Sequence, residues 1–410
     1  MHASLLGLCS LATILILSPL TAGAQIPLFD ASVKADPPPA PRRPSPRALK
    51  QESRSAKEAK SATDKPVVTE EEQAKAAQHN AWTIGLAGGQ PEGSFHRYAA
   101  DLAKVLDDGE NLRVLPIMSY GAVGNITDLL YLNGVDVVLT YADVLDHFKN
   151  VEKVPNLERR LNYIIPMFQG EFHLLVRPDI KSIQDLAGKK VGFDTPGSGA
   201  NYTGGIVFER LGVKVEKVYM NNALALEAMR SGELAGLVHT GARPSELFTA
   251  IKLETGFHLL PVEYSDRFRD YYAPGELTRA DYPNLIAQNR IVRTISVQAV
   301  LAVYNWPPET DRHRRAVRFV EYLFDRFDML RSAPFQPGWK EMNLAGTLPG
   351  WTRFPPAQDL LDRTSRQSSL NAPIDPAVAR AKAIRAAPSN PAEQERLFHE
   401  FMQWTRQQKR

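Results

Sequence analysis

The sequence has almost no cysteine: Cys9 is the only one in 410 residues, and it lies in an apolar leader. Removal of that leader would leave a mature chain without a thiol. Such a chain has no disulfide, no cysteine-ligated metal and no cysteine nucleophile. Its stability must therefore come from a packed core, for which a hydrophobic fraction of 43% is sufficient.

A strong charge of either sign is also missing. The chain carries 49 basic and 46 acidic residues, which gives a formal net charge of +3. Proteins that bind nucleic acid through an electrostatic surface are usually much more basic, so we expect no nucleic-acid partner. The length allows two or three compact regions.

The apolar run at the N-terminus, Leu5–Leu17, is too short for a bilayer span, which needs roughly 20 residues. Ala22-Gly23-Ala24 follows it and has the small-x-small pattern that signal peptidase reads. This pattern predicts that residues 1–24 are a signal peptide, that the mature chain begins near Gln25, and that the protein is periplasmic. A leader that is retained would instead tether the chain to the membrane.

Composition divides the rest of the chain. Eight prolines fall in residues 25–66 among charged and small residues, which is typical of a disordered tether. A short helix is expected over Glu70–Gln78, residues 366–390 look like a polar linker, and an amphipathic helix is expected over Pro391–Gln407. The predicted organisation is a tether at 25–79, a first lobe at 80–173 plus 300–335, a second lobe at 174–299 and a C-terminal extension at 336–410.

Strands and helices alternate from Trp82 onward in two similar series. The strands WTIGLA, LRVLPI and VDVVLT form the first series, and KVGFDT, VKVEKVYM and LAGLVH form the second. Two βαβαβ units predict two lobes, each with a parallel-rich sheet flanked by helices. Two more apolar strands, FHLLVR and ISVQAVLAVY, would join the lobes as hinge strands. The predicted fold class is therefore two-lobed α/β.

Glycine-rich turns follow three of these strands: GGQPEGS, SYGAVGN and PGSGAN. A turn of this kind either only caps the next helix or allows the N-terminus of that helix to bind an anion. A dinucleotide site does not fit PGSGAN, because Tyr202 stands where the third glycine belongs, although Glu216 has the spacing of a ribose-binding acid. No P-loop lysine follows the turns, so we expect no nucleotide and no other cofactor.

Other reactive residues form no recognisable site. Ser94 and His96 start a helix side by side and do not face each other, as a nucleophile and its base must. His399 has no second histidine at the spacing of a zinc-binding helix motif. His173 and His239 are expected at strand ends or in the core. We expect no catalytic residue and no metal.

The region from Trp82 to Tyr304 resembles the TAXI-type solute-binding subunits of TRAP transporters. The matching pieces include GLAGGQPEGSFHRYAADLAKVL, SYGAVGNITDLLYLNGVDVVLTYADV and KKVGFDTPGSGANYTGGIVFERLGV. Those subunits have the type II periplasmic-binding-protein fold and hold a small anionic solute, an amino acid or a dicarboxylate, between two lobes. The resemblance implies a pocket made of Gly89, Ser94, Phe95, Ser119, Gly121, Asn125, Tyr141, Ser198, Gly199, Ala200, His239 and Gly241.

This chain departs from that pattern at several pocket positions. Ala200 stands where members often have threonine, and Tyr141 where they often have glutamine. Three cations could replace the lost polar groups: Arg97, Arg177 and Arg243.

The resemblance implies a binding protein and not an enzyme. It would capture a carboxylate-bearing solute by hinge closure and deliver it to a TRAP-type membrane permease. The long tether and the altered pocket positions leave one alternative, a tethered sensory or structural receptor of the same fold without a role in transport.

Overall fold

The computed structural model describes residues 68–249, 251, 256–371 and 376–407. The predicted signal peptide and the proline-rich segment up to Pro66 lie outside these residues. Within the described part, no helix combines the length and the apolar character that a membrane span requires.

Ten strands form one mixed sheet. They are β1 (Thr83–Gly89), β2 (Arg113–Met118), β3 (Val137–Tyr141), β4 (Leu161–Val176), β5 (Lys190–Gly192), β6 (Glu216–Val218), β7 (Gly236–Gly241), β8 (His258–Leu259), β9 (Tyr272–Leu277) and β10 (Val292–Tyr304). The order across the sheet is β2-β1-β3-β10-β4-β7-β5-β6, with β8 beside β4 and β9 beside β10.

The sheet contains the same three-stranded parallel ladder twice. In the first lobe β1 pairs with β2 and β3, and in the second lobe β5 pairs with β6 and β7. Each ladder is the parallel sheet of one βαβαβ unit. The predicted two-lobed α/β fold is therefore confirmed.

Two long antiparallel strands, β4 and β10, run through both lobes and pair with each other. β10 also pairs with β3 of the first lobe, and β4 pairs with β7 of the second. The sequence pattern indicates only the second half of β4, because Pro166 interrupts its first half and proline usually excludes a central strand. In the structure Pro166 lies opposite Val300, next to an irregularity in the ladder, where the missing N–H is tolerated.

The helices pack on this sheet or extend from it. They are α1 (Glu70–Ala81), α2 (Ser94–Leu106), α3 (Ala122–Tyr131), α4 (Val144–Asp146), α5 (Leu157–Arg160), α6 (Gly199–Leu211), α7 (Asn222–Arg230), α8 (Glu246–Thr249), α9 (Asp311–Leu330), α10 (Pro355–Asn371), α11 (Pro376–Ala386) and α12 (Pro391–Gln407). The described residues also contain a π-helical turn (His147–Val151) and three 3₁₀ turns: Ile183–Leu186, Asp266–Phe268 and Pro337–Glu341.

The C-terminal segment corrects one expectation from the sequence. Residues 366–390 are not a linker in the described part, because α10 continues to Asn371 and α11 begins at Pro376. Their alanine, arginine and glutamine residues are polar or small but favour helix. Ala379 and Ala383 of α11 are buried, and Arg380 makes a two-pronged ion pair with Glu395 of α12.

Candidate functional site

The three glycine-rich turns meet where the parallel strands of the two lobes end. They connect β1 to α2, β2 to α3, and β5 to α6. Gly89, Gly121 and Gly197 have φ angles of 93°, 110° and 89°, which glycine adopts without steric cost. A Cβ added to Gly121 would lie 3.3 Å from the Cα of Ser198, so turns from opposite lobes are in direct contact.

These turns enclose a chamber of about 50 Å³, here called the inner chamber. It has room for a few water molecules or for the end of a small solute. The predicted pocket residues that line it are Gly89, Ser94, Phe95, Gly121, Tyr141, Ser198, Gly199, Ala200 and His239. Lining residues that the sequence analysis did not name are Gly88, Gln90, Gly93, Tyr120, Asp194 and Thr240.

Three predicted pocket residues lie behind this lining. Asn125 is fully buried and donates to the carbonyl oxygens of Leu139 (2.6 Å) and Ala87 (3.3 Å), which ties β1 to β3. The Ser119 hydroxyl donates to the Asn125 side chain and accepts from the Gly89 N–H at 2.8 Å. At Gly241 an added Cβ would lie 2.6 Å from His239 Nε2, so this glycine leaves space for the histidine ring.

Hydrogen bonds between the lobes use some groups that the sequence pattern had assigned to a solute. The N–H groups of Val123 and Gly124, at the start of α3, donate to the carbonyl oxygen of Gly197 at 3.0 and 3.2 Å. The Ser94 hydroxyl, at the start of α2, accepts from the N–H of Ala242 at 3.0 Å. The start of α3 is thus occupied by protein, which leaves the start of α6 as the stronger candidate for an anion.

The first two N–H groups of α6, those of Gly199 and Ala200, have no hydrogen-bond partner among the described residues. Both residues line the inner chamber. The Ser198 hydroxyl, by contrast, is engaged, because it accepts from the Asn201 N–H at 3.1 Å. A carboxylate in the inner chamber would find two free backbone donors and the positive end of a helix dipole.

We expect Ser198→Ala to lower the free energy of unfolding by about 1 kcal/mol, because it removes the N-cap of α6. Urea unfolding measures this loss. Thr310→Ala is the matched control, since Thr310 caps α9 through the same bond, to His313 N–H at 3.2 Å. Both variants should lose similar stability, and only the Ser198 variant should also change solute binding. Unchanged stability of Ser198→Ala would contradict the capping role.

A second chamber of about 260 Å³ adjoins the first and is here called the outer chamber. It shares Gln90, Gly93, Asp194 and His239 with the inner chamber. Its other lining residues are Glu92, Asn222, Ala223, Glu246 and Leu247. Among the described residues, no lysine or arginine lines either chamber, so the charged side chains in the walls are all acidic.

Asp194 lies between the two chambers and is 8% exposed. Burial raises the pKa of its carboxyl, although hydrogen bonds from Thr195, Gln90 and Ser198 counteract part of that effect. Gln90 Nε2 lies 3.3 Å from Asp194 Oδ1 and 2.6 Å from Thr195 Oγ1, and so links the lobes. Gln90 directly follows β1, and Asp194 lies two residues after the end of β5. Both are thus at the carboxyl ends of parallel strands, the position from which their role could have been predicted.

The two histidines near the chambers are buried, as expected. Burial lowers the pKa of His239 to about 3 and that of His173 to about 4. His239 contacts Ser245 Oγ through Nε2 at 3.3 Å and Asn222 Nδ2 through Nδ1 at 3.2 Å. Both rings are neutral near pH 7, and His239 therefore adds no positive charge to the chamber walls.

The three arginines that could have supplied cations are paired with protein groups. Arg97 lies 2.8 Å from Glu246 and joins α2 to α8. Arg243 lies 2.9 Å from Glu171 and 3.5 Å from Asp281. Arg177 pairs with Asp179 at 3.1 Å and donates to the carbonyl oxygen of Gly232. The start of α6 is consequently the main source of positive potential in the chamber walls.

The structure gives a second reason against a dinucleotide site, which is the position of Glu216 in the sheet. Glu216 is the first residue of β6 and pairs in register with Lys190, the first residue of β5. A ribose-binding acid belongs at the opposite, carboxyl end of the second strand, beside the glycine turn. The Tyr202 side chain extends to Asp143, and its hydroxyl donates to the backbone carbonyl oxygen of that residue at 3.4 Å. The third glycine of a dinucleotide motif has no side chain at this position.

Comparison with known proteins gives a family match over most of the chain. The profile of the NMT1-like family matches residues 86–345, which include all three glycine-rich turns and both hinge strands.

Solved structures to which this chain is similar include three solute-binding proteins. The periplasmic binding protein BugD is 13% identical, with a TM-score of 0.43, and the match covers 70% of this chain and 94% of BugD. A TctC solute-binding protein from Polaromonas is 17% identical, with a TM-score of 0.33 and coverages of 60% and 88%. The alkanesulfonate-binding protein SsuA from Xanthomonas axonopodis pv. citri, bound to MOPS, is 13% identical, with a TM-score of 0.38 and coverages of 78% and 83%.

Proposed function

This chain belongs to the NMT1-like family, and we propose that it is an extracytoplasmic receptor that binds a small carboxylate-bearing solute between its two lobes. One observation carries the proposal: the N–H groups of Gly199 and Ala200 have no hydrogen-bond partner among the described residues, and both residues line a chamber formed where the lobes meet. Charge-assisted hydrogen bonds to such donors contribute roughly 1.5–3 kcal/mol each.

The charge of the chamber walls favours one of the two solute classes that the sequence left open. A dicarboxylate would bring its second negative charge close to Asp194 or Glu92, and no free cation lines the chambers in the described part of the chain. An amino acid would place its carboxylate at the start of α6 and its ammonium group near those side chains. We therefore propose an amino acid, or a similar solute with one carboxylate and one cationic group.

Delivery of the solute to a TRAP-type membrane permease is the proposed role in the cell, and it rests on the motif resemblance to TAXI-type subunits. The signal-peptide pattern before Gln25 supports a periplasmic location. A tethered sensory receptor is the second candidate, favoured by the proline-rich segment. Loss of uptake of the identified solute in cells that lack this chain would support transport, and unchanged uptake would support the sensory role.

The solute class is tested by thermal shift with amino acids, monocarboxylates and dicarboxylates. A ligand at 100 times its dissociation constant adds about 2.7 kcal/mol of stability, which gives a clear shift in Tm. We expect an amino acid to give the largest shift, and Asp194→Asn to weaken its binding by about tenfold, equal to 1.4 kcal/mol. Glu209→Gln, an exposed change on α6, is the control and should bind as the parent does. Tighter binding of a dicarboxylate, unaffected by Asp194→Asn, would contradict the proposed class.

A further inference from the structure

Tyr141 ends β3 in the first lobe, and its side chain reaches the second lobe. It is 2% exposed, and its hydroxyl donates to the carbonyl oxygen of Thr240, at the end of β7, at 3.1 Å. Burial raises the pKa of this hydroxyl well above its usual range, so it remains a donor. The ring also packs against Phe95, with 4.6 Å between the ring centroids.

Two glycines make room for the ring on its opposite edges. A Cβ added to Gly170 of β4 would lie 2.5 Å from Tyr141 Cε1, and one added to Gly199 of α6 would lie closer still to Cε2. Gly170 lies on the hinge strand β4, and Gly199 is the first residue of α6. The two glycines therefore flank the ring closely on both sides, which leaves little room for the ring to turn aside.

The inner chamber is small because this ring occupies part of the space between the lobes. Tyr141 lines the inner chamber and does not line the outer one, which is about five times larger (260 Å³ against 50 Å³). The start of α6 thus receives only the end of a solute, and a bulky group beside that end has no room in the inner chamber and must extend into the outer one.

We propose that Tyr141 is the residue that determines solute size, because its ring forms the floor of the inner chamber and limits how deeply a solute enters. This inference rests on the proposed function, since it concerns the same chamber. The ring also bonds the two lobes through Thr240, so the size limit and lobe closure depend on one side chain.

The test compares Tyr141→Ala with Tyr141→Phe. The first vacates the floor, and the second keeps the ring and removes only the hydroxyl. Thermal shift and equilibrium dialysis are measured with 4-methylphenol, which has the shape of the lost side chain, and with alanine, norvaline, norleucine and phenylalanine. Apolar cavities made by truncation bind small aromatic molecules in this way. Tyr141→Leu replaces Tyr141→Ala if the latter does not fold.

We expect 4-methylphenol to bind Tyr141→Ala at least tenfold more tightly than it binds the parent or Tyr141→Phe. We also expect the preference for phenylalanine over alanine to rise at least tenfold in Tyr141→Ala and to stay at the parent value in Tyr141→Phe.

Either of two results would overturn the inference: equal binding of 4-methylphenol to all three proteins, or an unchanged ranking of the amino acids in Tyr141→Ala. If no amino acid binds any of the proteins, the proposed solute class fails. The 4-methylphenol measurement then still decides whether the ring is the floor of the chamber.

Discussion

Replacement of Gly199 by valine is expected to weaken solute binding by at least about a hundredfold, equal to 2.7 kcal/mol, while the two lobes stay folded. The added side chain would overlap the Tyr141 ring, which Gly170 and the bond to Thr240 hold in place. The lobes would have to separate to relieve the overlap, and the donors at the start of α6 would move away from the first lobe. Isothermal titration with the solute identified by thermal shift measures the loss.

Gly205→Ala provides the control for this change, because Gly205 lies in the same helix. A Cβ added there would meet only the flexible end of Lys217, at 3.2 Å from Nζ. Alanine is favoured over glycine within a helix by roughly 0.5–1 kcal/mol, so this variant should be slightly more stable and bind normally. Binding by Gly199→Val at the level of Gly205→Ala would show that the turn does not contact the solute and that the ring can move.

Replacement of Arg243 by methionine is expected to lower the free energy of unfolding by about 3 kcal/mol above pH 7. Glu171 is 4% exposed, and its Oε2 has no hydrogen-bond partner among the described residues. Arg243 supplies the cation beside Oε1, at 2.9 Å. The expected loss of stability lies at the low end of the range for breaking a buried ion pair, because the Arg243 side chain is 37% exposed.

The stability lost in Arg243→Met should be larger at high pH than at low pH. Burial raises the pKa of Glu171 to about 7, above its value of 4.5 in an unfolded chain, even though Arg243 lowers it. A carboxyl with a raised pKa stabilises the folded state while it is protonated, and this contribution is lost as pH rises from about 4.5 through the folded pKa. Without Arg243 the pKa rises further, so urea unfolding should show a larger loss at pH 8.5 than at pH 6.

The second change Glu171→Gln should restore most of the stability of Arg243→Met, because it removes the buried charge that was left unpaired. Arg177→Met is the control, since Arg177 pairs with Asp179, whose side chain is 55% exposed, and such pairs contribute about 0–1 kcal/mol. An equal loss at both pH values, with no recovery in the double variant, would contradict this account.

The sequence predicts the fold well wherever the pattern is local. The strands that precede the glycine turns are short apolar runs with clear stops, and each is found within about two or three residues of its expected place. The failures have physical reasons. Pro166 hides the first half of β4, because the pattern cannot show that its missing N–H falls at an irregular position in the ladder. Residues 366–390 read as a linker because their helices bury little more than alanine.

The sequence predicts where the candidate site lies, but it does not predict the hydrogen-bond partners of the individual groups in that site. The glycine turns mark where the pocket lies, since strand ends and helix starts follow from local pattern. Ser94 and the start of α3 were expected to face a solute, and they bond instead to Ala242 and Gly197 of the other lobe. Such partners depend on how two distant segments are placed in space. Asp194 stands directly before the turn in sequence, but the local pattern marks only the helix-start donors and does not show that this carboxylate is buried beside them.

The pairing of β4 with β10 has a mechanical consequence for the opening of the cleft. The lobes are joined by a hydrogen-bonded ribbon, so they separate by a change in its twist and not by the swing of two loose linkers. Irregular positions in that ladder fall between Gln298 and Val300 and between Leu301 and Ala302. There the Gln298 side chain donates to the carbonyl oxygens of Met167 and Phe168. We therefore expect the torsion to be concentrated at these two positions, and the ladder on either side to move with its own lobe.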